Sequence, residues 1–333
     1  MSPTPDPSLV LDLIEAFRRS KTMFAAVSLG IFDRLGGGPL ALHDVRQDED
    51  PDTLERLLDA CVSLGLLTKD DDRYTNTAVS QTYLRRESPQ TLTGYILYSN
   101  DVLWDLWAHL EDAVREGSHR WKQVFGLEGG ALFSHFYRTE ENKRDFLLGM
   151  NGVGLLSSPA VVAAFDLSRF RRMVDLGGAT GHLPLEAAKR YPEMEVAIFD
   201  LPDVVKFARE FTTGTRVELI AGDFFSDPLP PADLYSLGQI LHDWQEEKIR
   251  ALLAKVYEAL PAGGGLLIAE KLLDDDLAGP VAAHMQSLSM LICTEGRERS
   301  FAQYADLLQD AGFAEVEGKR TGVRLDAVLA IRT

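Results

Sequence analysis

Short apolar runs alternate with segments of helical periodicity through the second half of the chain. From Phe170 onward these runs are RMVDLGG, EVAIFD, VELIAGD, ADLYSLG and GLLIAE, followed by a final VEGKR and VRLDAVLAIR. Strands that alternate with helices in this way predict an α/β domain in which a parallel sheet carries helices on both faces. Ligands of such sheets bind at the carboxyl ends of the strands, where Asp175, Asp200, Asp223 and Glu270 lie. We therefore expect a binding site along that edge.

The first half has a different pattern, with apolar residues at helical spacing. Residues 9–35 predict two helices separated at Gly30, and residues 52–67 predict a third. The following LTKDDDRYTNT predicts a short two-stranded wing around an acidic turn. Helix, helix and wing together indicate a winged-helix unit, which we assign to residues 1–100.

A helical connection follows before the sheet begins. Its pattern predicts helices at about 100–116 and at 130–150, and the SSP sequence at 157–159 begins another. We assign residues 101–168 to a helical linker and residues 169–333 to the α/β domain.

Charge and composition exclude several classes of partner. Acidic side chains outnumber basic ones by 51 to 34, and the net charge of -17 opposes binding to nucleic acid, because phosphate contacts need lysine and arginine. The start MSPTPDPS lacks the basic and apolar regions of a signal peptide, and no uninterrupted apolar stretch approaches the ~20 residues that span a bilayer. With only 2 cysteines, a disulfide framework is not available. We therefore expect a cytoplasmic protein without a nucleic-acid or membrane partner.

VDLGGATGH, at residues 174–182, joins the first strand of the α/β domain to its helix. Glycines in such a turn let the backbone approach a ligand closely, and the helix amino terminus offers free N–H groups to an anion. The same glycines also suit a tight turn without a ligand. Their spacing does not match the G-x-G-x-x-G fingerprint of dinucleotide sites, which disfavours a nicotinamide cofactor.

Two acids near later strand ends favour a nucleoside ligand at this turn. Asp200 ends the second strand, where a carboxylate can accept hydrogen bonds from both hydroxyls of a ribose. Asp223 follows the third strand in AGDFF, beside two aromatic rings, Phe224 and Phe225, that are able to sandwich a purine. Each acid alone could be a turn or cap residue. Together with the glycine turn they indicate a nucleoside-containing cofactor.

The segments VDLGGATGH, FDLPDVV, AGDFF and ILHDW occur in an order and spacing that resembles class I S-adenosylmethionine-dependent O-methyltransferases. The chain is similar to the acetylserotonin (hydroxyindole) O-methyltransferase group and its plant caffeate-type relatives, and the similarity extends to MFAAVSLGIFDRL and MQSLSMLICTEGRERS. The resemblance implies a Rossmann-like methyltransferase domain with an α-helical winged-helix dimerisation domain at the amino terminus. It also implies S-adenosyl-L-methionine as the cofactor and a homodimer that methylates a hydroxyl of a small aromatic compound.

The same resemblance assigns residues to the cofactor site. The positions that it implies are Asp175, Gly177, Gly178, Asp200, Leu201, Gly222, Asp223, Phe224 and Gln239. Among them, Asp200 would hold the ribose, and Asp223 with Phe224 would hold the adenine. The family often has a glycine where Ala179 stands, and alanine is small enough for binding to survive.

ILHDW places His242 just after the fourth strand, on the same rim as the cofactor, and the resemblance makes it the general base. Its neighbour Asp243 forms a D-x-x-E pattern with Glu246, which favours a capping box at the start of the next helix over a catalytic role. The family places two glutamates around this histidine, and they match Glu270 and Glu298.

Carboxylates beside the histidine would serve the chemistry. A phenol has a pKa of about 10 and histidine about 6.5, so full proton transfer before attack would cost roughly 5 kcal/mol. A carboxylate that accepts from the other ring nitrogen stabilises the imidazolium and fixes the tautomer. For Glu298 the alternative is a solvated charge before a helix, because Ser300 and Gln303 form a capping box there.

No metal is expected in the reaction, because a sulfonium is already a good leaving group and the His, Cys and acid residues lack a convincing metal-ligand spacing. The acceptor pocket would be lined mainly by apolar residues of helices near or after the linker. The candidates are Trp104, Phe146, Met150, Met285, Ser289 and Met290. Relatives often carry asparagine where Ser289 stands, which leaves the identity of the acceptor open.

Two other functions remain open from the sequence. A relative on the same fold could methylate nitrogen or have lost methyl transfer, although a complete set of His242, Glu270 and Glu298 favours oxygen, because an arylamine needs no base. A ligand-sensing regulator could use the winged-helix unit on DNA, but the candidate recognition helix has one arginine against three acids and would repel phosphate. The apolar helices of residues 9–35 favour a dimer instead.

Overall fold

The computed structural model describes residues 4–127 and 132–333. Within this described part, the contacts divide the chain into two compact units. The first unit contains residues up to Val102 and Arg144–Gly152, and the second contains Leu103–Lys143 and Val153–Thr333. The segment predicted as a linker, residues 101–168, is thus divided between the two units.

The first unit is mostly helical. Its elements in chain order are α1 Ser8–Ser28, α2 Ile31–Arg34, β1 Leu40–Ala41, α3 Leu42–Val45, α4 Pro51–Ser63, β2 Leu67–Asp70, β3 Arg73–Asn76, α5 Ala78–Tyr83 and α6 Thr93–Tyr98. Strands β2 and β3 form the hairpin that the sequence predicts as a wing, and β1 pairs with β3 in the same antiparallel sheet. Gly30, with a φ of 71°, separates α1 from α2 as expected.

The start of α4 follows directly from its sequence. The Asp50 side chain accepts a hydrogen bond from the Thr53 N–H, and a proline occupies the first turn, where its missing N–H costs nothing. The apolar face of α4 packs into a core shared with the carboxyl-terminal part of α1, which includes Leu54, Leu58 and Val27.

The amino-terminal half of α1 leaves its apolar side chains exposed. Leu9 is 72% exposed and Leu13 is 68% exposed. The other large apolar residues that are more than half exposed there are Val10, Leu11, Ile14 and Phe17. A contiguous apolar patch of this kind on a helix indicates an interaction surface.

The second unit contains the α/β sheet. Its elements in chain order are α7 Trp104–Trp107, α8 Leu110–Glu116, α9 Trp121–Phe125, α10 Leu132–Phe136, α11 Glu140–Ala164, β4 Arg172–Leu176, α12 His182–Arg190, β5 Glu195–Asp200, α13 Pro202–Thr212, β6 Glu218–Ala221, β7 Leu234–Gly238, α14 Glu246–Ala259, β8 Gly265–Glu270, α15 Val281–Cys293, α16 Phe301–Asp310, β9 Glu315–Lys319 and β10 Asp326–Ile331. The middle of α11, Arg144–Gly152, groups with the first unit.

The sheet has the strand order β6-β5-β4-β7-β8-β10-β9, with β4 to β8 parallel. The chain adds β5 and β6 on one side of β4 and then adds β7 and β8 on the other side. The carboxyl ends of β4 and β7 therefore flank a crevice. The Rossmann-like class predicted for this part of the chain is confirmed. The expectation of a wholly parallel sheet is wrong for β10, which runs antiparallel to β8 and β9, because a short connection after β9 returns the chain in the opposite direction.

Helix α11 corrects the prediction that a new helix begins at the SSP sequence. The helix is continuous over its whole range, with Pro159 inside it. The Ser158 hydroxyl donates to the Gly154 carbonyl at 2.9 Å, as serines do within a helix, and it caps no helix start. The amino terminus is capped instead by Thr139, whose side chain accepts from the Asn142 N–H. Tertiary packing therefore overrides the helix-breaking tendency of proline here.

Two other predicted helices are interrupted. The helix expected at 100–116 consists of a π-helical turn at Ser99–Leu103, followed by α7 and α8. The first two residues of the helix expected at 130–150 lie outside the described residues, and the remainder of that range is divided between α10 and α11.

Helix α11 is long and apolar enough to cross a membrane by length and composition alone, although the sequence reading predicts no such stretch. Core helices of globular proteins have the same properties. Because 50% of its apolar window is buried inside the protein, we interpret α11 as a core helix.

Candidate active site

The glycine turn between β4 and α12 adopts left-handed backbone conformations. Gly177 has a φ of 72°, and an added Cβ there would lie 2.6 Å from the Ile240 side chain. Ala179 is also left-handed, with a φ of 46°, where a residue other than glycine costs roughly 1–2 kcal/mol. The Ala179 N–H donates to the Asp200 carboxylate at 2.9 Å, and this bond holds the turn in its strained shape. Alanine is therefore accommodated at the position where the family often has glycine.

Asp200 joins this turn to the end of β5. Its other carboxylate oxygen accepts from the Leu201 N–H at 2.7 Å, and its carbonyl accepts from the Gly222 N–H at 2.9 Å. Burial raises the pKa of the Asp200 carboxyl to about 6, against the opposing effect of the two backbone hydrogen bonds to the carboxylate. Each carboxylate oxygen has a second lone pair, so Asp200 can still accept hydroxyl donors.

Asp175 lies beneath the turn, near the end of β4. It accepts a hydrogen bond from the Ser236 hydroxyl on the neighbouring strand β7. An added Cβ on Gly178 would lie 2.7 Å from the Asp175 carboxylate, so the turn rests closely on this side chain. Burial, with a smaller effect from the charge of Asp200, raises the pKa of Asp175 to about 7 against the opposing effect of the Ser236 hydrogen bond. Asp175 thus supports the glycine turn from the interior.

Asp223 and the two phenylalanines follow β6, beside the turn. The Asp223 carboxylate accepts from the Phe225 N–H at 2.8 Å. The ring centroids of Phe224 and Phe225 are 4.7 Å apart, so a purine cannot lie between them and that expectation is wrong. The tight turn at Asp223 directs the Phe225 ring inward, where it packs edge-on against Trp244 at 4.9 Å. Phe224 alone remains beside the glycine turn, next to Gly177.

The structure brings the predicted cofactor residues together at the carboxyl ends of β4, β5, β6 and β7. Gln239 completes this rim with a φ of 54°, and its N–H donates to the Ala269 carbonyl at 2.9 Å. These features fit a ligand with a ribose and a base: Asp200 offers carboxylate acceptors, Gly177 has a left-handed backbone that favours glycine, and the Phe224 ring lies beside it. S-adenosylmethionine is such a ligand.

His242 lies in a 3-10 turn directly after β7. Its Nδ1 is 2.7 Å from Glu298 Oε1 and 3.3 Å from Glu270 Oε2. The other oxygen of Glu270 accepts from the backbone N–H groups of Ile240 and Leu241, at 3.0 and 2.9 Å. All three side chains of this cluster are buried. The two predicted glutamates therefore meet the histidine, Glu298 at its ring and Glu270 at both its ring and the backbone before it.

The charges around His242 favour its protonated form. Burial alone would lower the pKa of His242, but the charges of Glu270, Glu298 and Asp243 outweigh burial and raise that pKa to about 10. In the neutral form of the ring, Nδ1 carries the proton because both of its neighbours are acceptors, and Nε2 is then left to accept a proton from a substrate. Within the described chain Nε2 makes no hydrogen bond, and Asp243 Oδ1 lies 3.7 Å from it.

Asp243 does not cap a helix. Helix α14 begins at Glu246, and Gln245, which precedes it, is its cap residue. The capping-box prediction is wrong, because the 3-10 turn and the extended Trp244 place Asp243 beside the His242 ring instead of over the first turn of α14. Burial raises the pKa of Asp243 to about 7, against the opposing effect of a charged His242.

The loop that carries Glu298 packs closely against the turn of His242. Glu298 is 1% exposed, so the alternative of a solvated charge is wrong, although the capping box of Ser300 and Gln303 is present at the start of α16. An added Cβ on Gly296 would overlap the His242 carbonyl oxygen. This close approach of the two backbones fixes where Glu298 meets the ring.

The cluster also has the composition of a metal site. His242, Glu270 and Glu298 each offer one ligand atom, and these atoms all lie within 4.8 Å of one another. A cation there would have to replace the proton that Nδ1 shares with Glu298 and compete with the backbone donors on Glu270. The contacts therefore fit a hydrogen-bonded base better than a metal centre, although the folded chain brings together ligands that are far apart in the sequence.

The predicted acceptor residues are distributed over both units. Phe146 and Met150 belong to the first, where the Phe146 ring packs edge-on against Tyr98 at 5.4 Å. The candidates in the second unit are Trp104, Met285, Ser289 and Met290. Helix α15, which carries the last three, packs against α7 and against the 3-10 turn of His242. Met285, Ser289 and Met290 therefore lie on a helix next to the turn of His242, and Trp104 lies on a helix that packs against it.

Tyr137 is a partly buried residue near the site that the sequence does not single out. Burial raises the pKa of Tyr137, and the charges of Asp200 and Asp243 raise it further, which places its hydroxyl near both acids. A tyrosine after a short apolar helix has no distinguishing sequence signal. Only the topology that brings residue 137 to the ends of β5 and β7 reveals it.

Two family models match the chain. One, described as an O-methyltransferase domain, matches residues 107–314, and the other, described as an O-methyltransferase dimerisation domain, matches residues 11–86. Together the two models cover parts of both structural units.

Individual relatives extend this similarity over nearly the whole chain. Acetylserotonin O-methyltransferase from Gallus gallus is 43% identical over 97% of this chain and 96% of its own length. A probable bifunctional dTTP/UTP pyrophosphatase/methyltransferase protein from Homo sapiens is 40% identical over 98% of this chain, which spans 54% of that protein. The crystal structure of human N-acetylserotonin methyltransferase in complex with SAM has a TM-score of 0.94 and 39% identity, and the match covers 100% of this chain and 99% of that one.

Proposed function

The chain belongs to the O-methyltransferase family and is an S-adenosylmethionine-dependent O-methyltransferase, and from this premise we propose that its acceptor is a hydroxyl of a hydroxyindole-like aromatic compound, with His242 as the general base. The observation that carries the proposal is the buried His242 ring, with Nδ1 held by Glu298 at 2.7 Å and Nε2 free of hydrogen bonds in the described chain. The relatives named for acetylserotonin methylation support the acceptor class.

The base has the strength that the reaction needs. When bound, S-adenosylmethionine supplies a methyl group on a positively charged sulfur, which is a good leaving group. The protein has to align the acceptor oxygen and take one proton from it, and His242 Nε2 accepts that proton. A pKa of about 10 for His242 matches the ~10 of a phenol, so proton transfer is nearly balanced in free energy.

The same histidine cluster favours oxygen over nitrogen as the nucleophile. An arylamine attacks through its lone pair and needs no base beforehand, whereas a phenol of pKa ~10 is mostly un-ionised at neutral pH. A base held by two buried carboxylates would serve no purpose for an amine. The proposed reaction is also independent of a metal, because the hydrogen bond between Nδ1 and Glu298 occupies the atoms that a cation would need.

We also propose that the enzyme is a homodimer joined through α1. The chain contains an O-methyltransferase dimerisation domain, which matches residues 11–86 and includes the exposed apolar residues Leu11, Leu13, Ile14 and Phe17 of α1. A cytoplasmic location is part of the same proposal. It is supported by Cys61 and Cys293, which are both buried and unbridged, as is typical of a reducing compartment.

A transfer assay tests the proposed acceptor and base. Purified protein is incubated with methyl-labelled S-adenosylmethionine and a panel of hydroxyindoles, phenols and hydroxyquinones, each paired with its amino analogue. We expect label on hydroxyindole oxygen, with no loss of activity in EDTA. His242→Ala should reduce turnover by roughly 100- to 10,000-fold while binding S-adenosylhomocysteine normally. Its activity should recover in part as pH rises, because more of the acceptor is then ionised.

The outcome of this assay separates the alternatives. Label on the amine of a pair, or near-normal turnover of His242→Ala at neutral pH, would exclude the general-base assignment. Activity lost in EDTA and restored by a divalent cation would mean that His242, Glu270 and Glu298 hold a metal.

A further inference from the structure

Lys255 of α14 is a partly buried cation outside both the histidine cluster and the residues assigned to the cofactor. Its Nζ donates to three backbone carbonyls in the loop after β6, those of Phe224 at 2.8 Å, Phe225 at 3.1 Å and Asp227 at 2.6 Å. An ammonium group has three donors, so these carbonyls can satisfy all of them. Lys255 makes no ion pair with any residue that the structure describes. Its hydrogen-bonding capacity is therefore used by this one loop.

The other hydrogen bonds of residues 223–227 are internal to the loop. The Asp223 N–H donates to Asp227 Oδ2 at 2.8 Å, and the Asp223 carboxylate accepts from the Phe225 N–H at 2.8 Å. These bonds give the loop its shape but do not connect it to the rest of the domain. Among the described residues, Lys255 supplies the hydrogen bonds that join this segment to another element.

Helix α14 is a firm point of attachment for the loop. Its apolar side chains Ile249, Leu252, Leu253 and Val256 are buried in the main core of the α/β domain. Lys255 directly precedes the last of them, so its stem starts from backbone that the core fixes. A side chain on such an element holds a binding loop more precisely than contacts within the loop do.

The loop presents one aromatic ring to the glycine turn. The Phe224 ring lies beside Gly177, whereas the Phe225 ring packs against Trp244. Asp223 Oδ1 is used by the Phe225 N–H, and Oδ2 has no hydrogen-bond partner in the described part of the chain. Because each peptide unit is planar, fixing the carbonyls of Phe224 and Phe225 restricts the directions in which the neighbouring side chains leave the backbone. Asp223 Oδ2 and the Phe224 ring thus remain for a ligand.

We propose that Lys255 is a positioning residue of the cofactor site, which holds the Asp223 carboxylate and the Phe224 ring where they contact the nucleoside of S-adenosylmethionine. Lys255 itself touches no ligand, because the loop uses its three donors. Without the ammonium, three carbonyls would lose a charged donor, and the ligand would have to order the loop, which lowers affinity. The inference rests on the assignment of Asp223 and Phe224 to the cofactor and uses neither the acceptor nor the base.

Two ligands that share the nucleoside test this inference. S-adenosylhomocysteine and 5′-methylthioadenosine, which lacks the amino-acid part, are titrated calorimetrically into each variant without an acceptor. Lys255→Met keeps most of the side-chain volume and removes the donors, so both ligands should bind roughly ten- to a hundred-fold more weakly, by similar factors. Lys255→Arg should retain most of the affinity, because a guanidinium also donates several hydrogen bonds. A loss confined to S-adenosylhomocysteine would place the effect at the amino-acid end and overturn the inference.

A second substitution shows whether Lys255 acts through Asp223. Asp223→Ala should itself weaken binding of S-adenosylhomocysteine. Adding Lys255→Met to that variant should then cost less affinity than Lys255→Met costs in the unaltered protein, because a positioning residue has less effect once its target is gone. Fully additive losses would mean that Lys255 acts elsewhere and would exclude the assignment.

A matched control removes the same charge at a surface position. Lys189 is 78% exposed and pairs with Glu186 within α12, so Lys189→Met should bind both ligands as the unaltered protein does. Thermal unfolding without ligand identifies variants with a folding defect. If Lys255 only stabilises the fold, Lys255→Met will have a lower melting temperature and unchanged affinity for both ligands, and the inference is then wrong. Should Lys255→Met fail to fold, Lys255→Gln, which keeps a shorter and uncharged donor, takes its place with the same expected loss.

Discussion

At the scale of single residues, the two glutamates beside His242 differ in what they hold. Glu298 contacts the ring, and its second oxygen is buried without a hydrogen-bond partner among the residues that the structure describes, so its charge is directed at the imidazole. Glu270 instead uses one oxygen for the N–H groups of Ile240 and Leu241. Both charges raise the pKa of the ring, and we infer that Glu270 also positions the turn that carries it.

Glu298→Gln should therefore move the acidic limb of the pH profile of kcat/KM to lower pH. Removing a negative charge destabilises the imidazolium, so the pKa of His242 falls from its raised value of about 10. The ring becomes a weaker base, and the plateau rate should also fall, but by less than in His242→Ala. The measurement is a profile from pH 6 to 10.5 on a hydroxyindole acceptor.

Glu270→Gln is the matched variant for this experiment. It removes the same charge, but an amide is a weaker acceptor for the two backbone N–H groups, so it should also lower the melting temperature more than Glu298→Gln does. An acidic limb that stays in place, or that moves to higher pH, in Glu298→Gln would mean that Glu298 does not stabilise the charged ring.

At the scale of elements, the strands were readable from the sequence and several of their connections were not. A strand buried on both faces, such as β8, needs a continuous apolar run, and GLLIAE shows this locally. The antiparallel direction of β10 depends on its partners and has no local signal. The helix starts predicted at Pro159 and Asp243 are wrong for a similar reason. A capping pattern describes an isolated helix start, whereas tertiary packing places Pro159 inside α11 and starts α14 after Gln245.

The residues of the candidate site also differ in whether the local sequence predicts them. Asp200 and His242 follow apolar runs, so their place at the rim of the sheet could be predicted once the strands were recognised. Tyr137 could not, because it reaches the site from a segment far away in the sequence and only the completed topology brings it there. Its residue type carries no signal, because buried and exposed tyrosines look alike in a sequence.

The hydrogen bond between Asp200, at the end of β5, and the glycine turn leads to a prediction for cofactor binding. Asp200→Ala should weaken binding of S-adenosylhomocysteine by roughly ten- to a hundred-fold, because it removes charge-assisted bonds to ribose hydroxyls. It also frees the N–H of Ala179, whose φ of 46° is held by this carboxylate, so the loss should lie towards the upper end. Isothermal titration calorimetry with the folded variant measures it.

The pH dependence of that binding gives a second check. The pKa of Asp200 is raised to about 6, so the carboxylate is charged above pH 6 and becomes protonated as the pH falls through that value. Affinity should therefore decrease as pH falls from 7.5 to 5, and Asp200→Asn should remove most of this dependence because its amide does not titrate. Unchanged affinity of Asp200→Ala at pH 7.5 would place the ribose elsewhere.

At the scale of the whole molecule, charge argues against DNA binding by the amino-terminal unit, and its exposed apolar surface favours association between copies. The lysine of the wing, Lys69, is paired with Glu55 and Asp59 of α4 at 3.3 and 2.9 Å, so it is not available to phosphate. With a net charge of -17, the chain would be repelled by DNA. Association through apolar side chains, as in a dimerisation domain, is consistent with both facts.

The proposed dimer predicts a change of mass when α1 is made polar. Leu9, Leu13 and Phe17 are spaced four residues apart, so they lie on one face of the helix, and each is more than half exposed. Leu13→Asp with Phe17→Asp should convert a particle of twice 36.9 kDa into one of 36.9 kDa at micromolar concentration, because buried charges without partners oppose association. Light scattering after size-exclusion chromatography measures the mass.

A single exposed apolar residue elsewhere provides the control for this change. Val114 is 63% exposed on α8, outside the segment matched by the dimerisation model, so Val114→Asp should leave the mass unchanged. The core of the first unit uses Val27, Leu54 and Leu58 but none of the altered positions, so the double variant should keep its fold and its circular dichroism spectrum. A mass of 36.9 kDa for the unaltered protein would show that the exposed face of α1 serves a different partner. A dimer that survives the double substitution would place the interface on another surface, because six apolar side chains at the start of α1 would then contribute nothing to holding two copies together.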